Sequence, residues 1–288
     1  MKRQWTALEI LNATVPFFEK RSIINPRLNA ERLLAHILKV DRIGIYLQFE
    51  RILSDVEIND FRQMVQRRAE KEPLQYILGE TEFMGLPFYV EPSVLIPRPE
   101  TEILVNETLA LQSEFNQKTV IIWDVGTGSG CIAVSLAHHW PNCQVIATDI
   151  SEEALTISKK NSELNKVENR IRLIKHDILK NESVPLEYAD IIVSNPPYVT
   201  EDELKTLDDE IIGYEPHIAL TDFADGLSFY KALFRINCNE IKCRYILIEM
   251  SGTNSEAIMN LMSSHSLYEG TLIKDLNEIP RILKIRIE

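Results

Sequence analysis

A glycine-rich stretch is the first part of the chain whose spacing could serve chemistry. Asp124 closes a short apolar run, and the pattern D-x-G-x-G-x-G leads directly into an apolar helical segment that begins at Cys131. Glycines at a strand-to-helix turn let the backbone approach a ligand and leave the first helical N–H groups facing it. A dinucleotide fingerprint needs glycine or alanine where Cys131 stands, so no pyrophosphate cradle is predicted. The candidate cofactor-binding residues here are Gly126, Thr127, Gly128, Ser129 and Gly130.

Two acidic residues stand at the ends of the next two predicted strands. Asp149 ends the second strand, and Asp177 follows the third. A carboxylate in the first position can accept hydrogen bonds from both ribose hydroxyls of a nucleoside, and one in the second from an adenine amino group. Each acid taken alone is more often a helix cap or a surface charge. Ligands of such sheets bind at the carboxyl ends of the strands, so together they predict a nucleoside site.

The fourth predicted strand ends in the most specific feature of the sequence, Ser194-Asn195-Pro196-Pro197-Tyr198. Asn-Pro and Pro-Pro commonly stop strands, but that does not account for an aromatic residue directly after them. Two prolines fix the backbone and remove N–H donors, which leaves the carbonyls before and at Pro196 free to accept. With the Asn195 side-chain oxygen they can hold a planar NH₂ group, on which Tyr198 can stack. The candidate catalytic residues are Asn195, Pro196 and Tyr198, and Pro197 joins them in binding the substrate.

The elements that must position these residues fall into two parts, as a length of 288 residues favours. Helical periodicity and a capping box at Ser54 and Glu57 predict a small helical bundle over residues 1–72. Residues 73–98 predict a β-hairpin linker, with a turn centred on Gly85-Leu86-Pro87. From Val120 onward, short apolar runs alternate with helical segments, which predicts an α/β domain over residues 99–288 with a mostly parallel sheet and an antiparallel edge pair.

Composition excludes several classes of protein. A hydrophobic fraction of 45% with 26% charged residues excludes a disordered, collagenous or disulfide-stapled chain. The first residues lack a signal-peptide pattern, and no run approaches the ~18 apolar residues of a membrane span, so we expect a cytoplasmic protein. The six histidines lack metal-ligand spacing, so we expect no metal site. Four cysteines without C-x-x-C spacing are expected to be reduced, small buried residues: Cys131, Cys143, Cys238 and Cys243.

The glycine-rich loop, the two acids and the Asn-Pro-Pro-Tyr segment together resemble the S-adenosylmethionine-dependent amino-methyltransferases, which include DNA adenine-N6 and protein glutamine-N5 enzymes. The motifs alone do not separate these two. Further segments are similar to the HemK/PrmC family, the peptide chain release factor glutamine methyltransferases, over almost the whole chain: residues 73–79, Phe83, residues 88–90, 94–102, 215–220 and 225–227, and Asp275 with Arg281. A related branch that methylates a ribosomal protein usually lacks the form of residues 99–102, which favours the release-factor branch.

The resemblance implies a Rossmann-like class I methyltransferase sheet behind a helical domain that recognises the substrate. It implies methyl transfer from S-adenosylmethionine, with S-adenosylhomocysteine as product, to the side-chain amide nitrogen of the glutamine in the Gly-Gly-Gln loop of class-one release factors, modulating translation termination. Asn195 and the Pro196 carbonyl would hold this amide, and Asn195 would also border the cofactor. Arg98 and Glu100 would either close over the substrate or form an interdomain salt bridge.

The sequence departs from the family pattern at three places. Asp222-Phe223 stands where a glycine pair is usual, Ser251 where a glycine follows the fifth strand, and Ile178 where an aromatic residue is common. These substitutions leave the glycine-rich loop and the Asn-Pro-Pro-Tyr segment intact. We therefore expect them to affect loop geometry or efficiency and not the type of reaction.

Other functions stay open at this point. A DNA adenine-N6 methyltransferase would share the amine site, but base flipping usually needs a basic groove. The formal charge is −12, with the acidic excess on residues 76–288, so no direct nucleic-acid partner is expected. A ribosomal-protein glutamine methyltransferase, or a binding module without catalysis on the same fold, would also fit the motifs.

Overall fold

The computed structural model describes residues 4–115, 118–180, 185–239, 241–263 and 268–287. The helices in chain order are α1 (Ala7–Glu19), α2 (Pro26–Leu38), α3 (Arg42–Tyr46), α4 (Asp55–Ala69), α5 (Leu74–Leu78), α6 (Thr101–Leu109), α7 (Cys131–His139), α8 (Glu152–Leu164), α9 (Glu201–Leu204), α10 (Asp209–Tyr214), α11 (Ser228–Asn239) and α12 (Ser255–Ser263). The strands are β1 (Glu80–Phe83), β2 (Leu86–Tyr89), β3 (Val120–Val125), β4 (Cys143–Asp149), β5 (Ile171–Lys175), β6 (Ile191–Ser194), β7 (Tyr245–Glu249), β8 (Tyr268–Lys274) and β9 (Pro280–Ile287).

The chain forms two compact units. The helical unit is the chain up to Gly79 together with Asp208–Tyr214, and the sheet unit is Glu80–Leu207 with Glu215–Glu288. The capping box predicted at Ser54 and Glu57 is present at the start of α4, where it satisfies two backbone N–H groups that the helix leaves without partners. The apolar faces of the helices meet in one core, whose largest buried members are Leu11, Phe18, Leu33, Leu34, Ile45 and Phe61.

The segment predicted as a linker, residues 73–98, divides between the two units. Residues 74–78 form the short helix α5, and its Leu74 and Ile77 are buried in the helical core, so this unit extends to Gly79 and not to residue 72. Pro73 precedes α5 and Gly79 ends it in the left-handed conformation, so these two residues bound a helix inside the predicted linker.

The predicted β-hairpin follows α5 and belongs to the sheet unit. Strands β1 and β2 pair antiparallel, and the turn is Met84-Gly85, with φ of 53° and 72° at the two positions. Positive φ at both central residues is the type I′ geometry that matches the twist of a hairpin. The hairpin packs through Phe83 and Phe88 into the core of the sheet unit, and the Asn161 side chain binds both the N–H and the carbonyl of Tyr89.

A seven-stranded sheet in the order β5-β4-β3-β6-β7-β9-β8 forms the centre of the sheet unit. Strands β5, β4, β3, β6 and β7 run parallel, and β9 lies antiparallel between β7 and β8. Every residue of β6 and β7 is buried, as expected for strands that helices cover on both faces. The predicted mostly parallel sheet with an antiparallel edge pair is therefore confirmed.

The strand order reverses between β3 and β6. From β3 the chain proceeds outward through β4 to β5, and it then returns to place β6 on the other side of β3. At such a switch point the connections leave in opposite directions and open a crevice at the carboxyl ends of the strands. Within the described ranges, no helix is long and apolar enough to span a membrane.

Candidate active site

A cavity of 260 Å³ opens at the crevice between β3 and β6. Seven of the residues predicted to bind cofactor or substrate line it together: Gly126, Gly128, Asp149, Asp177, Asn195, Pro196 and Pro197. The remaining four, Thr127, Ser129, Gly130 and Tyr198, are not among the described residues that line this cavity. The sheet thus brings together motifs that lie as much as 71 positions apart in the chain, counted from Gly126 to Pro197.

The glycine-rich loop presents its backbone to the cavity and buries its side chains. Gly128 has φ of 54° and nothing within 4 Å of the position a Cβ would take, so the loop leaves open space on that side. Thr127 and Ser129 are buried, and the Thr127 hydroxyl donates to Asp124 Oδ2 at 2.6 Å. Burial raises the pKa of Asp124 to about 7, although this hydrogen bond lowers it. The Thr127 side chain therefore anchors the loop to Asp124 at the end of β3.

Gly130 has a different role from Gly128. Its φ is 80°, and an added Cβ would lie 2.4 Å from Ser158 Oγ and 3.2 Å from Ser158 Cα on helix α8. Gly130 therefore allows α7 and α8 to approach closely. The loop is also held by Asn161 on α8, whose Nδ2 donates to the Ser129 carbonyl at 2.8 Å.

This difference predicts distinct results for two alanine substitutions. We expect Gly130→Ala to lower the free energy of unfolding by about 2–4 kcal/mol, because left-handed strain adds to overpacking against Ser158. Gly128→Ala introduces left-handed strain without overpacking, so its free energy of unfolding should fall by only about 1–2 kcal/mol. Its methyl group would lie in the cavity. Urea denaturation measures the loss of stability in both variants. Calorimetric titration with S-adenosylhomocysteine measures the loss of affinity that the methyl group of Gly128→Ala should cause. Equal stability losses in the two variants would contradict this assignment.

Asp149 is bound by the backbone on both carboxylate oxygens. Oδ2 accepts from the Gly128 N–H at 2.8 Å, and Oδ1 accepts from the Ser151 N–H at 2.9 Å. Burial raises the pKa of Asp149, and the backbone hydrogen bonds oppose that rise. A carboxylate offers about four acceptor positions, so two remain for a ligand in the cavity. Asp177 lines the same cavity and accepts from the Leu179 N–H at 3.0 Å.

The Asn195 side-chain amide is hydrogen-bonded to Thr101, a residue that is not among the site residues predicted from the sequence. Its Nδ2 donates to Thr101 Oγ1 at 3.0 Å, and Thr101 is buried at the start of α6. Among the described residues no donor to the Asn195 side-chain oxygen is found, so this oxygen remains an acceptor for a ligand. Thr101 lies within the family-like segment 94–102, and nothing in its local spacing predicts contact with a residue 94 positions later.

Tyr198 points toward a buried carboxylate. Its hydroxyl donates to Glu249 Oε1 at 3.3 Å, and burial raises its pKa, so the phenol stays protonated. The Asn254 side chain, which follows Ser251, donates to the Tyr198 carbonyl at 3.2 Å. Ser251 itself lies beside Thr253, with 2.9 Å between the two hydroxyl oxygens. The departure at Ser251 thus leaves a direct contact to the Asn-Pro-Pro-Tyr segment in place.

The departure at Asp222-Phe223 is accommodated by hydrogen bonds in the loop. The Asp222 carboxylate accepts from the backbone N–H groups of Ala224, Gly226 and Ser228 at 2.9–3.0 Å. Phe223 has φ of 58° and lines the cavity with 59% of its surface exposed. Ile178, the third departure, is buried and lines the cavity as well.

The left-handed backbone at Phe223 predicts an inverted order of stability between two substitutions. In the middle of a helix or strand, alanine usually makes a protein more stable than glycine does, by about 0.5–1 kcal/mol. We expect Phe223→Gly to be more stable than Phe223→Ala by about 1 kcal/mol, because only alanine retains the left-handed penalty. Both lose the same ring, so chemical denaturation of the pair isolates the backbone effect. An alanine variant at least as stable as the glycine variant would exclude strain at this position.

Arg98 forms an ion pair within the sheet unit. Its guanidinium lies 2.5 Å from Glu215 Oε1, while Glu215 Oε2 accepts from the Ile96 N–H at 3.3 Å. Glu215 is buried. The pair therefore joins two chain segments that border the cavity, residues 93–95 and 216–219. Both partners belong to one unit, so this ion pair is not the interdomain salt bridge that was one of the two alternatives for Arg98.

In the part of the chain that the structure describes, no three histidine, cysteine or acidic side chains are arranged to hold a metal ion. Cys131 and Cys143 are buried, and burial raises the pKa of each thiol to about 12, so neither is a thiolate nucleophile. Cys243 is partly buried, and the side chain of Cys238 lies outside the described residues.

Comparison with known proteins relates this geometry to a function. The family model described as PrmC N-terminal domain matches residues 9–79, and that described as methyltransferase small domain matches residues 100–214. The solved N-terminal domain of human METTL16 in complex with SAH shares the fold, with a TM-score of 0.53, 16% identity and coverage of 96% of this chain and 92% of that one. The fold and the matched domain are those of a methyltransferase.

Curated relatives narrow the class to one family. The release factor glutamine methyltransferase of Chlorobaculum tepidum is 36% identical over 97% of this chain and 97% of its own length. That of Flavobacterium psychrophilum is 39% identical over 87% of each. The chain belongs to the release factor glutamine methyltransferase family.

Proposed function

We propose that this protein transfers a methyl group from S-adenosylmethionine to the side-chain amide nitrogen (N5) of the glutamine in the Gly-Gly-Gln loop of class-one peptide chain release factors. The observation that carries the proposal is the Asn195 amide at the rim of the cavity, with its nitrogen bound to Thr101 and its oxygen available. It supplies the acceptor that a primary amide substrate needs. Such a substrate would be met in the cytoplasm.

The cavity suits the nucleoside part of the proposed cofactor. Gly128 leaves space where a side chain would stand, so backbone can pass close to a ligand. Asp149 keeps two acceptor positions that can take the ribose hydroxyls, and Asp177 can accept from the adenine amino group. Between them Ile150 and Ile178 provide apolar walls for a flat base.

The chain's contribution to catalysis is proposed to be positioning. S-adenosylmethionine supplies, when bound, a methyl group on a sulfonium sulfur that leaves as the thioether of S-adenosylhomocysteine. Asn195 Oδ1 and the Pro196 carbonyl accept the two N–H bonds of the substrate amide and direct its nitrogen into the cavity. The same oxygens stabilise the positive charge that develops on this nitrogen. Its proton then passes to water, so no basic side chain is required.

The two prolines and Tyr198 complete the proposed substrate site. Pro196 and Pro197 carry no N–H groups that would compete for the carbonyl oxygens. The Tyr198 hydroxyl is bound to Glu249, which fixes the ring direction and leaves its face as the surface on which a planar amide can stack. We further propose that the helical unit binds the body of the release factor, so that recognition extends beyond one glutamine.

The decisive experiment uses S-adenosylmethionine labelled in its methyl group. The purified protein is incubated separately with a class-one release factor, with its Gln→Ala loop variant, with a large-subunit ribosomal protein and with duplex DNA. We expect label in the unsubstituted release factor alone, and mass spectrometry should place it on the loop glutamine. Label in DNA or in the ribosomal protein would show that the proposed substrate is wrong. Label in none of them would indicate a binding module without catalytic activity.

A further inference from the structure

A large apolar ring is exposed at the cavity. Phe223 lines the cavity, and 59% of its surface is exposed. Phe229 lines the cavity as well, but that side chain is partly buried and packs against a buried apolar cluster. Within the described ranges, Phe223 belongs to none of the three buried apolar clusters of the chain. Apolar groups exposed at a concave site are typical of a surface that a ligand covers.

Phe223 is one of several exposed apolar side chains that line this cavity. The others are Ile150, Leu179 and Ile218. Ile150 follows β4 and Leu179 follows β5, which both lie on one side of β3 in the sheet. Ile218 and Phe223 belong to the segment after β6, the strand on the other side of β3. A ligand in the crevice therefore meets exposed apolar groups from both sides of the switch point.

The backbone holds Phe223 in a conformation that bulky residues rarely adopt. Its φ of 58° lies in the left-handed region, which is a genuine outlier for a large side chain. Hydrogen bonds fix the chain on both sides of it. The Phe223 N–H donates to the hydroxyl of buried Thr221 at 3.0 Å, and the Asp222 carboxylate accepts from the Gly226 N–H at 3.0 Å. Glycine would occupy this position with less strain, so the ring itself calls for a function at the cavity.

The loop that carries Phe223 is packed against the Asn-Pro-Pro-Tyr segment. The Val199 N–H donates to the Leu220 carbonyl at 2.9 Å. A Cβ added to Gly226 would lie 2.5 Å from the Tyr198 carbonyl oxygen, so glycine allows the loop to approach this closely. The Phe223 ring is therefore held at a defined place beside the end of β6.

We propose that the Phe223 ring stacks on the adenine base of the bound cofactor and is thus a cofactor-binding residue. This inference rests on the proposed function, because it assigns a contact to the cofactor that this function uses. It adds to the polar contacts proposed for the nucleoside an aromatic one from the segment after β6.

The arrangement of the cavity favours the base as the partner of this ring. Asp149 and Asp177 would hold the ribose and the amino group, and Ile150 and Ile178 come from the same strand ends as these acids. Their aliphatic side chains can cover one face of the base. The other face then lies toward the segment after β6, where Phe223 is exposed. Every nucleobase has a π-face on which an aromatic ring can stack.

The test measures the affinity of two ligands by calorimetric titration. One is S-adenosylhomocysteine, and the other is 5′-methylthioadenosine, which keeps the adenosine and the sulfur but has a methyl group in place of the amino-acid chain. Phe223→Gly removes the ring at a position whose backbone suits glycine. We expect this variant to bind both ligands about 10-fold more weakly, the size expected for loss of one base–aromatic stack. Phe223→Tyr should keep the parent affinity within about 2-fold, because it retains the ring. Phe223→Leu should lie between the two.

A matched control and a spectroscopic readout separate stacking from structural damage. Leu276 is also an exposed apolar side chain, in the turn between β8 and β9, and is not among the described residues that line the cavity. Leu276→Gly should therefore bind both ligands like the parent. In the parent, the aromatic ¹H signals of Phe223, identified by their loss in Phe223→Leu, should shift when 5′-methylthioadenosine is added. Circular dichroism and thermal melting confirm that each variant is folded.

The outcomes distinguish this inference from the proposed function. If the parent binds both ligands but methylates no release factor, and Phe223→Gly binds both more weakly, the proposed substrate is wrong and the stacking contact stands. If the parent methylates the release factor and Phe223→Gly binds both ligands as the parent does, the stacking contact alone is refuted. Weaker binding of S-adenosylhomocysteine only would place the ring against the amino-acid chain. A higher KM for the release factor with both affinities unchanged would place it against the substrate, and either result overturns the proposal.

Discussion

We expect Asn195→Ala to lower kcat for release-factor methylation by at least about 1,000-fold, the upper range for removal of one group that stabilises developing charge. The substitution removes the side-chain oxygen proposed to hold an amide N–H and to stabilise the positive charge on nitrogen. It also leaves the Thr101 hydroxyl without the Nδ2–H that it accepts. Single-turnover measurement with saturating release factor isolates this step from substrate binding.

Cofactor binding should survive this substitution. Asn195 lines the cavity, but the groups proposed to bind the nucleoside, Asp149 and the glycine-rich loop, lie on other strand ends. Titration with S-adenosylhomocysteine should give an affinity within a few-fold of the parent. Asn165→Ala is a matched control, because among the described residues the Asn165 side chain bonds to the backbone carbonyls of Pro87 and Asn161 and does not line the cavity. Retained turnover in Asn195→Ala would exclude the proposed mechanism, and lost cofactor affinity would make Asn195 chiefly a cofactor ligand.

The strands of the sheet unit could be predicted from sequence because burial on both faces produces continuous apolar runs. The run at 191–193 became β6 and that at 245–248 became β7, each almost without change of bounds. The hairpin was predicted as well, yet its turn is Met84-Gly85 and Leu86 begins a strand. Turn type depends on φ at two residues, and methionine carries no signal for a positive value.

The polar framework behind the site could not be predicted, because it joins residues that are distant in the chain. Asn161 holds both the hairpin and the glycine-rich loop, although it looks like any polar residue of an amphipathic helix. Thr101 and Glu249 meet Asn195 and Tyr198 only once α6 and β7 are packed. Local patterns locate the strand ends at which ligands bind, whereas tertiary packing decides which side chains support the residues there.

The second large effect is expected at Asp149. We predict that Asp149→Asn lowers the affinity for S-adenosylhomocysteine by at least about 100-fold, because it weakens two hydrogen bonds to a charged acceptor, each worth about 1.5–3 kcal/mol. In the parent, the N–H groups of Gly128 and Ser151 both donate to the Asp149 carboxylate. The amide of Asp149→Asn has only one oxygen, so its NH₂ group faces one of these two N–H donors. One backbone N–H loses its partner, so the free energy of unfolding should fall by about 1–3 kcal/mol.

Asp190→Asn separates these two effects. Asp190 is buried and its Oδ2 accepts from the Ile121 N–H at 2.8 Å, but it lies at the amino ends of β3 and β6, opposite the cavity. Its substitution should cost a similar free energy of unfolding and leave the affinity for S-adenosylhomocysteine unchanged. Equal loss of affinity in both variants would show that the cavity responds to general destabilisation. A loss confined to Asp149→Asn identifies this carboxylate as a direct ligand of the nucleoside, because only there does the missing acceptor face the cavity.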